Sequence, residues 1–161
     1  MRMMRIALLS GALLSAVAVA VSHGSSAATD DLKAMEMQYW QAWDKGPDAA
    51  APLYAKDADL VFYDVEPVKY VGWNAYKAGV PGVMAKFERV TFALNDDVKA
   101  TTRNGMAWTS ATVEANGVLK GGAAVHVTIR HTAIWEKRAG SWQIVHEHAS
   151  IPSALPTPAQ E

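Results

Sequence analysis

The 161-residue chain can supply one domain with a substantial core, because half of its residues are hydrophobic and 9% are aromatic. Fifteen Lys and Arg against sixteen Asp and Glu give a net charge of −1 at pH 7, so the composition does not favour nucleic acid or an anionic membrane surface as a partner. The chain has no cysteine, which excludes disulfides, thiolate catalysis and zinc–thiolate sites.

Residues 1–27 have the pattern of a cleavable export signal. Arg2 and Arg5 precede an apolar run over residues 6–21, which is shorter than the roughly 20 apolar residues that span a bilayer. The run is followed by Ser25-Ser26-Ala27, small residues of the kind that a signal peptidase accepts. We therefore predict cleavage after Ala27 or Ala28, a periplasmic or secreted mature protein, and no stable membrane anchor.

Apolar residues at helical spacing predict three helices in the first half of the mature chain. The first covers residues 31–45 and ends at Gly46-Pro47, and the second, over residues 48–54, is short. Strands are predicted at residues 60–64 and 68–71. The third helix covers residues 73–88, with a kink at Pro81-Gly82 and an inner face formed by Trp73, Tyr76, Val80, Met84 and Phe87.

Four longer segments rich in Val, Thr, Ile and Trp then predict a meander of strands at residues 91–99, 106–115, 123–136 and 142–151. The turn signals between and near them are Asn104-Gly105, Asn116-Gly117, Gly121-Gly122 and Ala139-Gly140. Helices followed by an antiparallel meander predict an α+β domain over residues 28–152. Residues 153–161, which contain Pro156 and Pro158, are predicted to be a flexible tail.

Three local patterns resemble those of SnoaL-like and ketosteroid isomerase-like domains of the nuclear transport factor 2-like superfamily. The first is Leu53-Tyr54-Ala55-Lys56-Asp57-Ala58-Asp59, and the second is Val71-Gly72-Trp73-Asn74-Ala75. The third combines Arg130-His131-Thr132-Ala133-Ile134-Trp135 with the segment from Gly140 to Pro152, which is similar to the closing strand pair of SnoaL-like domains. The resemblance covers nearly all of the mature chain.

The resemblance implies a cone-shaped fold in which three N-terminal helices pack on a curved, mostly antiparallel sheet. It also implies a pocket at the wide end, with mainly apolar walls and a few inward polar groups, and a homodimer formed through the outer face of the sheet. It does not imply one reaction, because this fold supports enzymes, binding modules and assembly domains. A small apolar organic molecule is the expected ligand.

Tyr39 and Asp64 are the first candidates for chemistry. In ketosteroid isomerases a tyrosine on the first helix stabilises a dienolate oxyanion, and the resemblance implies that place for Tyr39; a tyrosine that serves only the core is the alternative. The carboxylate base of those enzymes falls near Phe62 in this sequence, and Asp64 replaces it only with a shifted register. Their second acid falls near Arg130 and Thr132, where no carboxylate occurs, so steroid isomerase chemistry is not favoured.

The histidines are the second set of candidates. His146 and His148 alternate on one face of the last strand, and Arg130 shares a face with His126 on the strand before it. If this face lined the pocket, it would offer one fixed cation and up to three imidazoles for binding a carboxylate or enolate, or for general base catalysis. The alternative is that these histidines serve the sheet or a dimer partner.

A metal site is a weaker option, because Glu136 is the one nearby carboxylate with a claim to join His126, His146 and His148. We predict neither a metal nor a cofactor. Most tryptophans are expected in the core, with Trp43 as a wall of the ligand site.

Two functional hypotheses follow. One is an isomerase, cyclase or dehydratase that acts on an apolar carbonyl compound by acid–base chemistry, with catalytic candidates Tyr39, Asp64, Arg130 and His148. The other is a non-catalytic domain that binds a small molecule or a protein.

Overall fold

The protein is described here as a computed structural model over residues 24–153, with side chains described from residue 31 onward. The predicted signal peptide and tail lie outside these residues, except for residues 24–27 and Ser153. Three α-helices are present in the described range: α1 (Gly24–Trp43), α2 (Pro47–Ala50) and α3 (Trp73–Met84). A 3-10 turn, Ala51–Leu53, continues α2. None of these helices has the length and apolar character needed to cross a membrane.

Seven strands form one open sheet within the described range. They are β1 (Val61–Tyr63), β2 (Tyr70–Val71), β3 (Phe87–Leu94), β4 (Lys99–Arg103), β5 (Met106–Leu119), β6 (Ala124–Arg138) and β7 (Ser141–Ser150). The order across the sheet is β2-β1-β7-β6-β5-β3, with β4 also paired to β5. The β1–β7 pair is parallel and the others are antiparallel. The predicted α+β fold, with helices on a mostly antiparallel sheet, is confirmed.

The helices cover one face of the sheet and form the core with it. Helix α1 packs on β3, β4 and β5, while α3 packs on β2 and β3. The core contains many aromatic side chains, and its large buried side chains include Tyr39, Trp40, Tyr54, Phe62, Tyr76 and Trp135. Each such side chain contributes roughly 1.5–3 kcal/mol through its burial. This supply of aromatic surface is how a chain without disulfides holds its fold.

The structure corrects two of the predicted element boundaries. The third helix ends at Met84 and not at residue 88, and Phe87 opens β3. The helix continues through Pro81 without interruption. The predicted strand over residues 91–99 is two strands, because the chain turns between Leu94 and Lys99. In that turn the Asp97 carboxylate accepts hydrogen bonds from the Thr112 backbone and hydroxyl at 2.9 Å.

Asn116-Gly117 is not a turn, contrary to the prediction. Strand β5 runs through both residues, and Gly117 pairs with Val90 of β3. A Cβ atom at Gly117 would lie 2.9 Å from the Phe87 ring and 3.3 Å from the Arg89 carbonyl oxygen. The glycine therefore allows close packing of an aromatic ring over the sheet, which is the other reason for glycine inside a strand.

Candidate active site: a buried carboxylate cluster below an apolar cavity

A cavity of about 160 Å³ lies between the helices and the inner face of the sheet. Its walls are mainly apolar, with Val80, Val83 and Met84 from α3 and Val127 and Ile129 from β6. Aromatic side chains complete them: Tyr39, Trp40, Trp43, Tyr76, Phe87 and Phe92. The charged side chains that line it, within the described part of the chain, are Asp64 and Glu147. An apolar cavity of roughly 150 Å³ can hold benzene, so this one suits a ligand of about one ring.

Glu147 on β7 is the centre of the polar end of the cavity. It is 2% exposed, and three phenols donate to its carboxylate. Tyr39 and Tyr54 each lie 2.8 Å from Oε2, and Tyr76 lies 2.7 Å from Oε1. These tyrosines come from α1, from the end of the 3-10 turn and from α3, so one carboxylate joins three helical segments to the sheet.

The three phenols keep their protons. Burial raises the pKa of Tyr39, Tyr54 and Tyr76 well above its ordinary value, and the negative charge of Glu147 raises it further. Each hydroxyl lies within hydrogen-bond distance of Glu147, and the Tyr54 hydroxyl also lies 2.9 Å from that of Tyr39 and 2.8 Å from that of Tyr76. The phenols are therefore hydrogen-bonded to the protein's own carboxylate and to one another.

His131 on β6 is the buried cation of the cluster. Its Nδ1 lies 2.7 Å from Oε1 of Glu36, and its Nε2 lies 3.7 Å from Oε2 of Glu147. Burial alone would lower the pKa of His131, but the charge of Glu36 and the hydrogen bonds and charge of the two carboxylates raise it to about 10. His131 is thus an imidazolium at neutral pH, and the Tyr39 ring stacks on it with centroids 5.1 Å apart.

Glu36 on α1 is fully buried, and both of its carboxylate oxygens accept hydrogen bonds. Besides His131, Trp40 donates to Oε1 at 3.0 Å and Thr109 donates to Oε2 at 2.7 Å. Burial would raise the pKa of Glu36, but the His131 charge and these hydrogen bonds together lower it below its usual value. Trp135 in turn donates to the Thr109 hydroxyl at 2.9 Å. Glu36 and His131 therefore form a buried ion pair in which both Glu36 oxygens accept hydrogen bonds, whereas Nε2 of His131 has no hydrogen-bond partner among the described residues.

Asp64 is the second carboxyl group in the cavity wall. It follows β1 directly, and one of its oxygens accepts a hydrogen bond from the Val65 backbone at 2.7 Å. Burial, and next the negative charge of Glu147, raise the pKa of Asp64 to about 7, although the Val65 hydrogen bond and the His131 charge act in the opposite direction. A carboxyl group in this range can accept or donate a proton at neutral pH.

Three of the predicted site residues lie where a ligand would contact them. Tyr39, Trp43 and Asp64 all line the cavity. Their roles in binding or catalysis stay predictions. For Tyr39 the geometry adds that its hydroxyl is already bound to Glu147.

The other four predicted site residues lie outside this cavity, and their roles in binding or catalysis stay predictions. His146, His148, His126 and Arg130 do not line it, and His148, His126 and Arg130 are exposed. His146 bonds the Val61 carbonyl oxygen at 2.7 Å through Nδ1.

A bulge in β7 determines which residues of the last strand face inward. Ile134 of β6 pairs with His146, but the next residue, Trp135, pairs with Ile144, so Val145 is an extra residue. Ile144 is fully buried, and strict alternation from it would turn His146 and His148 inward. The extra residue reverses the alternation and turns Glu147 inward instead. On β6 no such shift occurs between His126 and Ile134, and His131 faces inward while Arg130 faces outward.

Sequence reasoning missed Glu36, His131 and Glu147. Glu36 had a readable signal, because it lies on the apolar face of α1 at helical spacing between Leu32 and Tyr39. Glu147 had none, since the bulge is not visible in the sequence. Within the described residues no group of three or more His, Asp or Glu is arranged to hold a metal ion.

Comparison with models of protein families identifies the family of this chain. The family model of the SnoaL-like domain matches residues 32–154. The chain belongs to the SnoaL-like domain family. This confirms the resemblance, and the matched range contains the whole carboxylate cluster and the cavity. A search of curated proteins gave no match.

Solved structures similar to this SnoaL-like protein share its fold. One is a nuclear transport factor 2-like superfamily protein from Salmonella enterica serovar Typhimurium LT2, with a TM-score of 0.73, 20% identity and coverage of 84% of this chain and 99% of that one. A putative dehydratase from Streptomyces avermitilis has a TM-score of 0.69, 17% identity and coverage of 80% and 99%. A hexachlorocyclohexane dehydrochlorinase from Novosphingobium barchaimii LL02 has a TM-score of 0.64, 14% identity and coverage of 81% and 92%.

Proposed function

We propose that this SnoaL-like protein binds a small, mainly apolar organic molecule in its cavity and moves a proton to or from it through Asp64. One observation carries the proposal. A carboxyl group whose pKa is raised to about 7, first by burial, lies in the wall of an otherwise apolar cavity of about 160 Å³. A group that titrates near the working pH combines a useful fraction of the base form with a useful driving force for proton transfer.

The buried carboxylate cluster helps to set the pKa of Asp64. The charge of Glu147 raises the pKa of Asp64, and Glu147 itself is fixed by three phenols. Proton transfer to a bound molecule fits the isomerase, cyclase or dehydratase class. Two similar structures carry the names putative dehydratase and dehydrochlorinase, and eliminations of that kind also require removal of a proton.

Non-catalytic binding is the second candidate, and one observation favours it. An oxyanion that forms during proton abstraction needs a hydrogen-bond donor, but the hydroxyls of Tyr39 and Tyr76 are bound to Glu147, and the indole N–H of Trp43 is the buried donor that the cavity wall has left for this role among the described residues. In this candidate the cavity holds its ligand without changing it, and Asp64 contributes affinity.

A ligand screen followed by a turnover assay distinguishes the catalytic candidate from the non-catalytic one. Thermal-shift screening of one-ring compounds should find ligands for the wild type and lose them in Val127→Phe, which fills the cavity. Thr132→Phe is the matched control, because Thr132 is an exposed residue of the same strand. The hits are then incubated in D₂O and followed by NMR for hydrogen exchange or product.

Turnover that Asp64→Asn abolishes and His148→Ala retains would support the catalytic proposal. Ligands that bind and stay unchanged would support the second candidate. If Val127→Phe retains every ligand, the cavity is not the binding site and both candidates fail.

We further propose that the protein works in the periplasm or outside the cell as a homodimer. Export is supported by the pattern of residues 1–27. Pairing through the outer face of the sheet is supported by Tyr63, which is 40% exposed and makes edge contacts with His146 and His148 at centroid distances of 5.8 Å. Fractionation of cells that express the full chain tests the first proposal. Light scattering of the wild type and Tyr63→Glu tests the second.

A further inference from the structure

Asp64 gives the polar end of the cavity free hydrogen-bond acceptor capacity. Asp64 accepts one hydrogen bond from the Val65 backbone, so its carboxyl group has acceptor capacity left. Tyr39 and Tyr76 also line the cavity, and their hydroxyls donate to Glu147. The buried Nε1 of Trp43, another lining residue, has no hydrogen-bond partner among the described residues. A ligand at this end is therefore better matched if its polar group donates hydrogen bonds than if it only accepts them.

The charges near this end are unbalanced. Asp64 and Glu147 line the cavity, and no Lys, Arg or His of the described chain does so. The positive charge of His131 is paired with Glu36 at 2.7 Å and lies 3.7 Å from Glu147. Asp64 and Glu147 thus place two negative charges at the cavity, while the positive charge of His131 is already balanced by Glu36. The electrostatic potential inside the cavity is therefore negative when Asp64 is ionised. Burying such a charge without a partner is costly, and a cation in the cavity would supply that partner.

The walls fit a cation as well as an apolar ring. Five aromatic side chains besides Phe87 line the cavity: Tyr39, Trp40, Trp43, Tyr76 and Phe92. The faces of such rings attract ammonium groups, and the attraction is largest where water is excluded. The other wall residues include Val, Ile and Met side chains, which suit the hydrocarbon part of a ligand.

We propose that the cavity binds a small organic cation, in which an ammonium group lies at the Asp64 end and one ring or a short chain fills the apolar part. This ligand class rests on the proposed function of the cavity as a binding site. It differs from the carbonyl compound expected from the sequence, because a carbonyl oxygen only accepts hydrogen bonds.

Four one-ring probes of nearly equal size test the proposal by calorimetry on the intact chain. They are benzylammonium, benzyl alcohol, acetophenone and toluene. At pH 8 we expect benzylammonium to bind at least tenfold more tightly than each of the other three. Val127→Phe should abolish that binding, which shows that it occurs in the cavity and not at surface carboxylates.

The pH dependence and a matched pair of variants identify the carboxylate. The titratable groups that act on Asp64 come from four elements, namely Tyr70, Tyr76, His131 and Glu147. Asp64, with its pKa raised to about 7 mainly by burial, is the one of these expected to change protonation between pH 8 and pH 6. Benzylammonium affinity should therefore fall roughly tenfold over this range. Asp64→Asn should remove the pH dependence, whereas Asp59→Asn, on the surface, should retain it.

The possible failures are distinct. Acetophenone or toluene binding in the cavity as tightly as benzylammonium would overturn the cation proposal and leave the cavity as a ligand site. Equal binding of benzyl alcohol would show that a neutral donor suffices, and would also overturn it. If none of the four probes binds, the cation proposal and the proposed function fail together.

Discussion

Replacing Asp64 with asparagine should stabilise the protein, and by an amount that grows with pH. The side chain keeps its shape, but the carboxyl group that must ionise inside the cavity wall is gone. The ordinary pKa of the residue is 3.8, and burial, followed by the charge of Glu147, raises it to about 7 in the folded protein. The folded state therefore holds the proton more tightly than the unfolded state, and wild-type stability is lost as the pH rises from 3.8 through 7.

The magnitude follows from the two pKa values. The gap between 3.8 and about 7 corresponds to about 4 kcal/mol when the group is fully ionised at pH 8. Roughly 2 kcal/mol of wild-type stability is already lost at pH 5, because Asp64 is mostly ionised in the unfolded chain at that pH and still protonated in the folded protein. The stability of Asp64→Asn relative to wild type should thus increase by roughly 2–3 kcal/mol between pH 5 and pH 8.

Urea denaturation followed by tryptophan fluorescence measures this difference at both pH values. Asp59→Asn is the control for the change in net charge, since Asp59 is exposed. If the free energies of unfolding of wild type and Asp64→Asn stay parallel from pH 5 to pH 8, the assignment of Asp64 as a group poised near neutrality is wrong.

Two further predictions concern the ion pair and the glycines. Glu36→Gln removes the main charge partner of His131 and should lower the pKa of His131 from about 10, as read from the imidazole signals in NMR, and destabilise the fold by about 3–5 kcal/mol; an unchanged imidazole titration would contradict the assigned pair. Gly117→Val should cost about 1–3 kcal/mol through overpacking, whereas Gly82→Ala, in open space on α3, should gain about 0.4–1 kcal/mol. Denaturation midpoints of the two glycine variants that shift in the same direction would refute the packing argument.

The fold was predictable because its strongest signals are local. Helical spacing of apolar residues located α1 and α3, and Asn104-Gly105 and Ala139-Gly140 are turns in which both residues have positive φ, at 52° and 79° and at 47° and 88°. Asn116-Gly117 has the same composition as the first of these and lies inside β5. The difference comes from the Phe87 ring packed over Gly117, a contact between distant parts of the chain that no local pattern records.

The candidate site was only partly predictable, since it depends on which way each strand residue points. Tyr39 and Asp64 were accessible from helix periodicity and from position. Glu147 was not, because one extra residue at Val145 reverses the alternation of β7. The sequence analysis chose His146 and His148 as site candidates, but the residue that faces inward is Glu147, which lies between them.

Glu36, Asp64 and Glu147 have different roles, and their hydrogen bonds show which of these three carboxyl groups is free to act. Glu36 and Glu147 each accept at least three hydrogen bonds from side chains on several elements. Changing either therefore disturbs the packing of helices on the sheet as well as any chemistry. Asp64 accepts one hydrogen bond, from its own neighbour, among the described residues. It can gain or lose a proton without breaking contacts between elements, so its variants separate function from folding, and the tests of function above depend on it for that reason.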